Sequence, residues 1–138
     1  MRLSKTNRLA LAREIRTAVD FMGKADKARD KMYFFTAVYG VAQRIMNLEF
    51  DPELGFVHNV TNAAYNTINT ALLMAAQGQS APTLPANVFD ELQKALKDLA
   101  THIEEEKQTY TVLERISNLA YSTSGNGYYL FLKGLLKV

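Results

Sequence analysis

Apolar residues recur at helical spacing along almost the whole chain. In the first segment, Leu11, Ile15, Ala18 and Met22 step by four, three and four residues, which places them on one face of a helix. The same periodicity predicts five helices: residues 4–22, residues 26–48, a third from Gly55 or Phe56 to Gln77, a fourth that begins near Asn87, and residues 109–121.

Residues that break helices lie between these segments. Asp51-Pro52 ends the second helix, Gly23 marks the end of the first, and a Gly-Asn-Gly turn at 125–127 follows the fifth. The sequence therefore predicts an all-α fold, an up-and-down bundle of four to five helices in a single domain of residues 1–138. A short apolar segment at 128–138 closes the chain, either as a short helix or as an extended segment.

The third helical segment differs from the others because it carries no charge. No Asp, Glu, Lys or Arg occurs between Leu54 and Phe89. Depletion of charge is typical of the centres of protein–protein interfaces, so this helix is either a self-association face or pocket wall, or a central helix covered by its own neighbours. The candidate ligand or interface residues are His58, Asn62, Tyr65, Asn66, Asn69 and, after the Gly-rich turn, Tyr128.

Composition limits the class of protein. The chain has 138 residues, 48% of them apolar and 22% charged, which is usual for a globular domain, and it has no cysteine. A thiol nucleophile and a cysteine-ligated metal are thereby excluded. No apolar run is long enough to cross a bilayer, and the start of the chain is not a signal peptide. We therefore expect a cytoplasmic protein with no membrane partner.

Positive charge is concentrated near the start of the chain. Residues 1–31 contain nine Lys or Arg and four Asp or Glu, although the whole chain has a net charge of only +2. Helical spacing places four basic residues together on the face of the first helix opposite its apolar stripe: Arg2, Lys5, Arg13 and Arg16. Such a face is either an ordinary solvated surface or a phosphate-binding surface, so a nucleic-acid partner is an alternative hypothesis.

Sequence motifs for catalysis or metal binding are not found. No Gly-x-Ser-x-Gly elbow and no Walker-type lysine spacing occurs. Asp98, His102 and Glu106 stand four residues apart, but a metal site in a bundle needs further ligands from other helices, and the first three helices offer no inward carboxylates. We predict no catalytic residues, no metal and no cofactor. A pocket lined by tyrosine and asparagine, in a small-molecule-binding protein or an enzyme, is a further alternative.

Two segments resemble HEPN-like domains, which are α-helical bundles. NAAYNTINTALLMAAQGQSAP (62–82), followed by a capped amphipathic helix, resembles the second half of that pattern. RISNLAYSTSGNGYY (115–129) is similar to the end of small archaeal and bacterial relatives of unknown function. The resemblance covers residues 5–130 in helix order. It implies a ribonuclease toxin, a partner of a minimal nucleotidyltransferase or a non-catalytic interaction module, often dimeric.

The nuclease members of the HEPN group carry an arginine followed by four to six residues and a histidine. Here the nearest arginine before His58 is Arg44, and no arginine lies between Arg44 and His102. The resemblance therefore implies a member without nuclease activity. The sequence predicts a non-catalytic helical interaction domain that forms a homodimer or binds another protein. A nucleic-acid-associated or toxin–antitoxin component is the alternative that the resemblance adds.

Overall fold

The computed structural model of the chain describes residues 1–79, 84 and 86–121. These residues form α-helices joined by short connections, with no strand among them, so the predicted all-helical bundle is confirmed. The helices are α1 (Lys5–Lys24), α2 (Ala28–Leu48), α3 (Pro52–Ala76), α4 (Val88–Glu104) and α5 (Tyr110–Tyr121). None of the helices in the described ranges combines the length and apolarity that a bilayer crossing requires. The apolar segment at 128–138, with the candidate Tyr128, lies outside the described residues.

The helices pack in a ring rather than in simple chain order. Helix α1 packs against α2 and α4, α3 packs against α2 and α5, and α4 packs against α5. Helices α3 and α4, which follow one another in sequence, are therefore not principal neighbours. Because α2 and α5 occupy its two flanks, α3 keeps one face directed away from the bundle.

The core is made of the apolar faces that helical spacing predicted. Leu11, Ile15 and Met22 of α1 are fully buried, as are Leu92 and Leu99 of α4. The α2 segment, apolar on nearly every side in the sequence, buries a complete face and contributes the largest buried side chain. This inner face of α2 consists of Met32, Phe35, Val38, Val41, Ala42 and Ile45.

The start of α3 corrects one prediction. Asp51-Pro52 follows α2, which ends at Leu48, and it also marks the start of α3. This helix begins at Pro52, three residues before the predicted Gly55. The Asp51 side chain accepts a hydrogen bond from the Glu53 backbone N–H at 2.8 Å, which caps the helix. Pro52 occupies the first helical turn, where the missing N–H of proline has no cost.

The connection between α1 and α2 also differs from its prediction, by two residues at each end. Helix α1 begins where expected, with the Ser4 hydroxyl accepting from the Asn7 N–H at 3.3 Å. It continues through Gly23 to Lys24, and the Ala25 N–H bonds to the carbonyls of the last turn. Helix α2 then begins at Ala28 instead of Asp26. Glycine was a misleading stop signal here because Gly23 keeps the ordinary helical conformation.

Candidate functional site

Four of the predicted candidates lie along one edge of α3, where the helix meets α2. His58, Asn62, Tyr65 and Asn69 are spaced by four, three and four residues, so they share that edge. All four are half-buried. The fifth candidate, Asn66, is exposed and belongs to the outward face described below.

Tyr39 of α2 brings two of these candidates together. Its ring lies edge-on to the His58 ring, with centroids 6.4 Å apart, and is tilted against the Tyr65 ring at 5.5 Å. Tyr65 also stacks on the buried Phe35 at 6.2 Å. Such aromatic pairs add to the stability gained from burial. His58 and Tyr65 therefore help to fix α3 on α2, through a tyrosine that the sequence analysis did not identify as a candidate.

The phenol of Tyr39 gives this edge a measurable pH dependence. Burial, and secondarily the neighbouring phenol of Tyr65, raises the pKa of Tyr39 above its ordinary value of 10.0. A raised folded-state pKa contributes stability that is present below pH 10 and is lost as the pH rises through the folded pKa. We expect the alkaline loss of stability to be less steep in Tyr39→Phe, as measured by urea unfolding from neutral pH to above pH 10. Identical pH profiles for the two proteins would contradict this expectation.

The outward face of α3 is exposed and uncharged. Asn59, Asn66 and Thr70 are exposed, and Leu73 leaves 53% of its surface accessible. By contrast, α4 turns Lys94, Lys97 and Asp98 to solvent, and α1 does the same with Lys5 and Arg13. Within the described ranges, α3 is therefore covered by its neighbours on some sides only. The interpretation of this helix as a self-association face or pocket wall stays a prediction.

The four residues of the predicted basic face have different environments in the structure. Arg16 forms an ion pair with Glu104 and donates to the Thr101 hydroxyl at 3.3 Å, so this side chain lies against α4. Arg2 precedes α1, and its backbone N–H donates to Asp51 at 3.1 Å. Of the four predicted residues, Lys5 and Arg13 are the ones exposed on the helix itself.

Acidic residues where α2 is followed by α3 hold the first residues of the chain, and Glu53 in the first turn of α3 is the central one. Glu53 is buried, and its Oε1 lies 2.9 Å from the ammonium group of Met1. Its Oε2 accepts from the Thr109 N–H at 2.8 Å and from the Thr109 hydroxyl at 2.6 Å. One carboxylate thus joins the chain start, α3 and the residue preceding α5. This role could not be inferred from the sequence, because the hydrogen-bond partners of Glu53 lie 52 and 56 residues away from it in the chain.

Glu49 supports the same attachment from the end of α2. It accepts from the Ser4 backbone N–H at 2.8 Å and from the Asn7 side-chain amide at 2.8 Å. These hydrogen bonds, that of Asn7 first, lower the pKa of Glu49 because they favour the ionised form. The cluster of carboxylates is thus used to position the N-terminal residues.

A groove with exposed aromatic rings lies where α1 turns into α2. Phe21 stacks on Phe34 with centroids 5.1 Å apart, and Tyr33 meets Phe34 edge-on at 5.5 Å. The Lys24 ammonium lies 5.7 Å from the centre of the Phe21 ring. The groove has a volume of about 550 Å³, within the usual range for ligand sites. Its lining consists of Phe21, Lys24, Ala25, Asp26, Lys27, Asp30, Tyr33 and Phe34.

A smaller groove of about 270 Å³ lies between α4 and α5. Arg115 lines it and is engaged by Asp98 at 2.6 Å. Glu91 lines it as well and is paired with Lys94 at 3.3 Å. Since both charged groups have partners within the chain, this groove presents a weaker binding surface than the aromatic one.

The acidic and histidine residues at the end of α4 do not form one cluster. Asp98, His102 and Glu106 do not share a helix face, because α4 ends at Glu104 and Glu106 has a φ of 59°. His102 Nδ1 lies 2.8 Å from the Gln108 carbonyl oxygen. Within the described part of the chain, no group of three or more His, Asp or Glu is placed to hold a metal ion. Comparison of the chain with protein-family models, curated proteins and solved structures gives no match.

Proposed function

We propose that this chain is a non-catalytic helical interaction domain that self-associates through the outward face of α3. The observation that carries the proposal is the exposure of Asn59, Asn66, Thr70 and Leu73 on a helix with no charged residue after Glu53. The absence of charge does not stabilise a helix that faces solvent. It does favour association when the helix lies at the centre of an interface, because a charge buried there must be desolvated.

The chemistry of the face favours a second copy of the chain as its partner. In a two-fold interface the same surface patch meets itself, so the patch must be complementary to itself. Asparagine and threonine side chains both donate and accept hydrogen bonds, and they satisfy this condition in either orientation. Leu73 adds apolar surface whose removal from water favours association.

Two features of the sequence agree with this proposal. The resemblance to HEPN-like domains includes dimeric modules without nuclease activity, and the nuclease spacing of arginine and histidine is missing here. The absence of cysteine is compatible with the reducing cytoplasm, where we place the protein. The HEPN-like assignment and the cytoplasmic location are predictions from the sequence. The proposal itself depends on the α3 face alone.

Asn66→Lys tests the proposal directly. Asn66 lies within one turn of the midpoint of α3, so in an antiparallel two-fold pairing it lies near its own counterpart. The substitution places two ammonium groups close together in the interface. We expect the dissociation constant of the dimer to rise at least tenfold, about 1.4 kcal/mol. Sedimentation velocity over a concentration series, with native mass spectrometry of the same samples, measures it.

Thr17→Lys is the matched control. Thr17 is exposed on α1, and α3 is not a principal neighbour of that helix, so the same charge added there should leave the dimer intact. A mixture of Asn66→Lys with Asn66→Asp should recover association, because opposite charges then meet across the two-fold axis. A wild-type chain that remains monomeric at its highest soluble concentration contradicts the proposal. Equal weakening by both lysine substitutions also contradicts it.

A further inference from the structure

The groove at the α1–α2 turn combines exposed aromatic surface with positive charge. Tyr33 leaves 72% of its surface accessible and Phe21 leaves 47%, so both rings present apolar surface to solvent. Lys24 and Lys27 line the same groove and are exposed. The stacking of Phe21 on Phe34 keeps these rings in a fixed arrangement instead of leaving them free in solvent.

Part of the positive charge near the start of the chain is neutralised within the fold, and the two lysines at this turn are not. Of the nine basic residues in 1–31, Arg8 and Arg16 are engaged by Glu106 and Glu104 on the side facing α4. Lys31 donates to the Met22 carbonyl at 2.8 Å. Lys24 and Lys27, in contrast, extend beside exposed rings. A basic and aromatic surface at the end of α1 thus lies beside the exposed basic residues of this helix, Lys5 and Arg13.

We propose that this groove binds a planar ring that carries an anionic group, that is, a nucleotide, either free or as a unit of a single-stranded nucleic acid. The base stacks on the exposed rings of Tyr33 and Phe21, as bases do on aromatic platforms in proteins that bind single strands. The phosphate lies near Lys24 and Lys27. The site is on α1 and α2, and it is independent of the proposed self-association face on α3.

Two aspartates in the groove lower the affinity that we expect for an anionic ligand. They also allow the sign of the ligand's charge to be tested. Asp26 and Asp30 also line the groove, and Asp30 lies 3.6 Å from Arg29. Their charge opposes that of the lysines, so binding is weak and depends strongly on salt. Removing a carboxylate with Asp26→Asn strengthens the binding of an anion and weakens that of a cation. The alternative is a cationic ligand, because aromatic rings beside acidic residues attract cations.

The experiment uses the full chain, a fluorescein-labelled oligouridine and UMP. Fluorescence anisotropy at low salt follows the oligonucleotide, and chemical-shift changes in NMR spectra follow UMP. We expect Tyr33→Ala to weaken binding about tenfold or more, since stacking on one aromatic residue contributes that much, and Tyr33→Phe to retain it. Lys27→Gln should reduce the slope of log K against log salt by about 0.7 if one phosphate contact is lost. Asp26→Asn should increase affinity.

Matched controls separate the groove from a general effect of exposed rings or charge. Phe50→Ala removes a ring with the same 72% exposure at the other end of α2, and Lys97→Gln removes an exposed lysine on α4; neither should change affinity. Binding of both ligands supports a nucleotide site, and binding of the oligonucleotide alone supports a site for single strands. Three results would overturn the proposal: no binding of either ligand, unchanged affinity in Tyr33→Ala, or weaker binding in Asp26→Asn.

Discussion

Replacement of Phe35 by alanine is expected to lower the free energy of unfolding by about 3–5 kcal/mol. Phe35 has no accessible surface, lies on the inner face of α2, and stacks on Tyr65 of α3 at 6.2 Å. The substitution removes the burial of the ring, leaves a cavity in a core that collapses only partly, and takes away the partner of Tyr65. Because domains of this size have about 5–15 kcal/mol of stability in total, this single change threatens the fold.

Urea unfolding followed by circular dichroism measures this effect. Phe35→Leu, which retains most of the apolar volume, should cost clearly less than Phe35→Ala. Phe50→Ala is the matched control because it removes the same ring from an exposed position and should change stability little. If Phe35→Ala and Phe50→Ala unfold at the same urea concentration, the described core is wrong at α2.

Replacement of Glu53 by alanine is expected to cost about 3 kcal/mol or more, because removing one partner of a buried ion pair leaves the other charge unpaired. Three donors lose their acceptor at once: the Met1 ammonium, the Thr109 N–H and the Thr109 hydroxyl. Glu53→Gln should be intermediate, since its amide retains one oxygen but turns a donor toward groups that also donate. We also expect a local loss of structure, in which residues 1–4 are no longer held against α3.

Hydrogen exchange and urea unfolding together test the role of Glu53. Amide protection at Arg2 and Ser4 should fall in Glu53→Ala, while the protection of α4 should follow only the change in global stability. Glu14→Ala, a matched change at an exposed position on α1, should stay within about 0.5 kcal/mol of the wild type. Equal stability of Glu53→Ala and Glu14→Ala would show that the carboxylate does not hold the chain start.

The sequence was sufficient to predict the helices because each one repeats a strong apolar face. The inner face of α1 follows the helical period, and its four predicted positions, Leu11, Ile15, Ala18 and Met22, are all buried. The ends of the helices were predicted less accurately where one residue has two roles. Asp51 both follows α2 and caps α3, and the sequence alone assigned only the first role.

The candidate site was predicted only in part. The absence of charge in α3 after Glu53 is a property of composition, so it could be found without a structure. The contact of His58 and Tyr65 with Tyr39 could not, because it depends on which helix lies beside α3. The aromatic groove was missed for a similar reason, since Phe21 and Phe34 belong to different helices and meet only when α1 and α2 pack together.

By itself, the sequence determined that the chain folds into five amphipathic helices around an apolar core and that its third helix carries no charge after Glu53. These properties are local, since they follow from residue types at fixed spacing. The tertiary structure decided the ring order that leaves one face of α3 outward, the pairing of Arg16 with Glu104, and the burial of Glu53 with Met1 and Thr109. Those features join residues far apart in the chain, and helical periodicity carries no information about which helix packs against which.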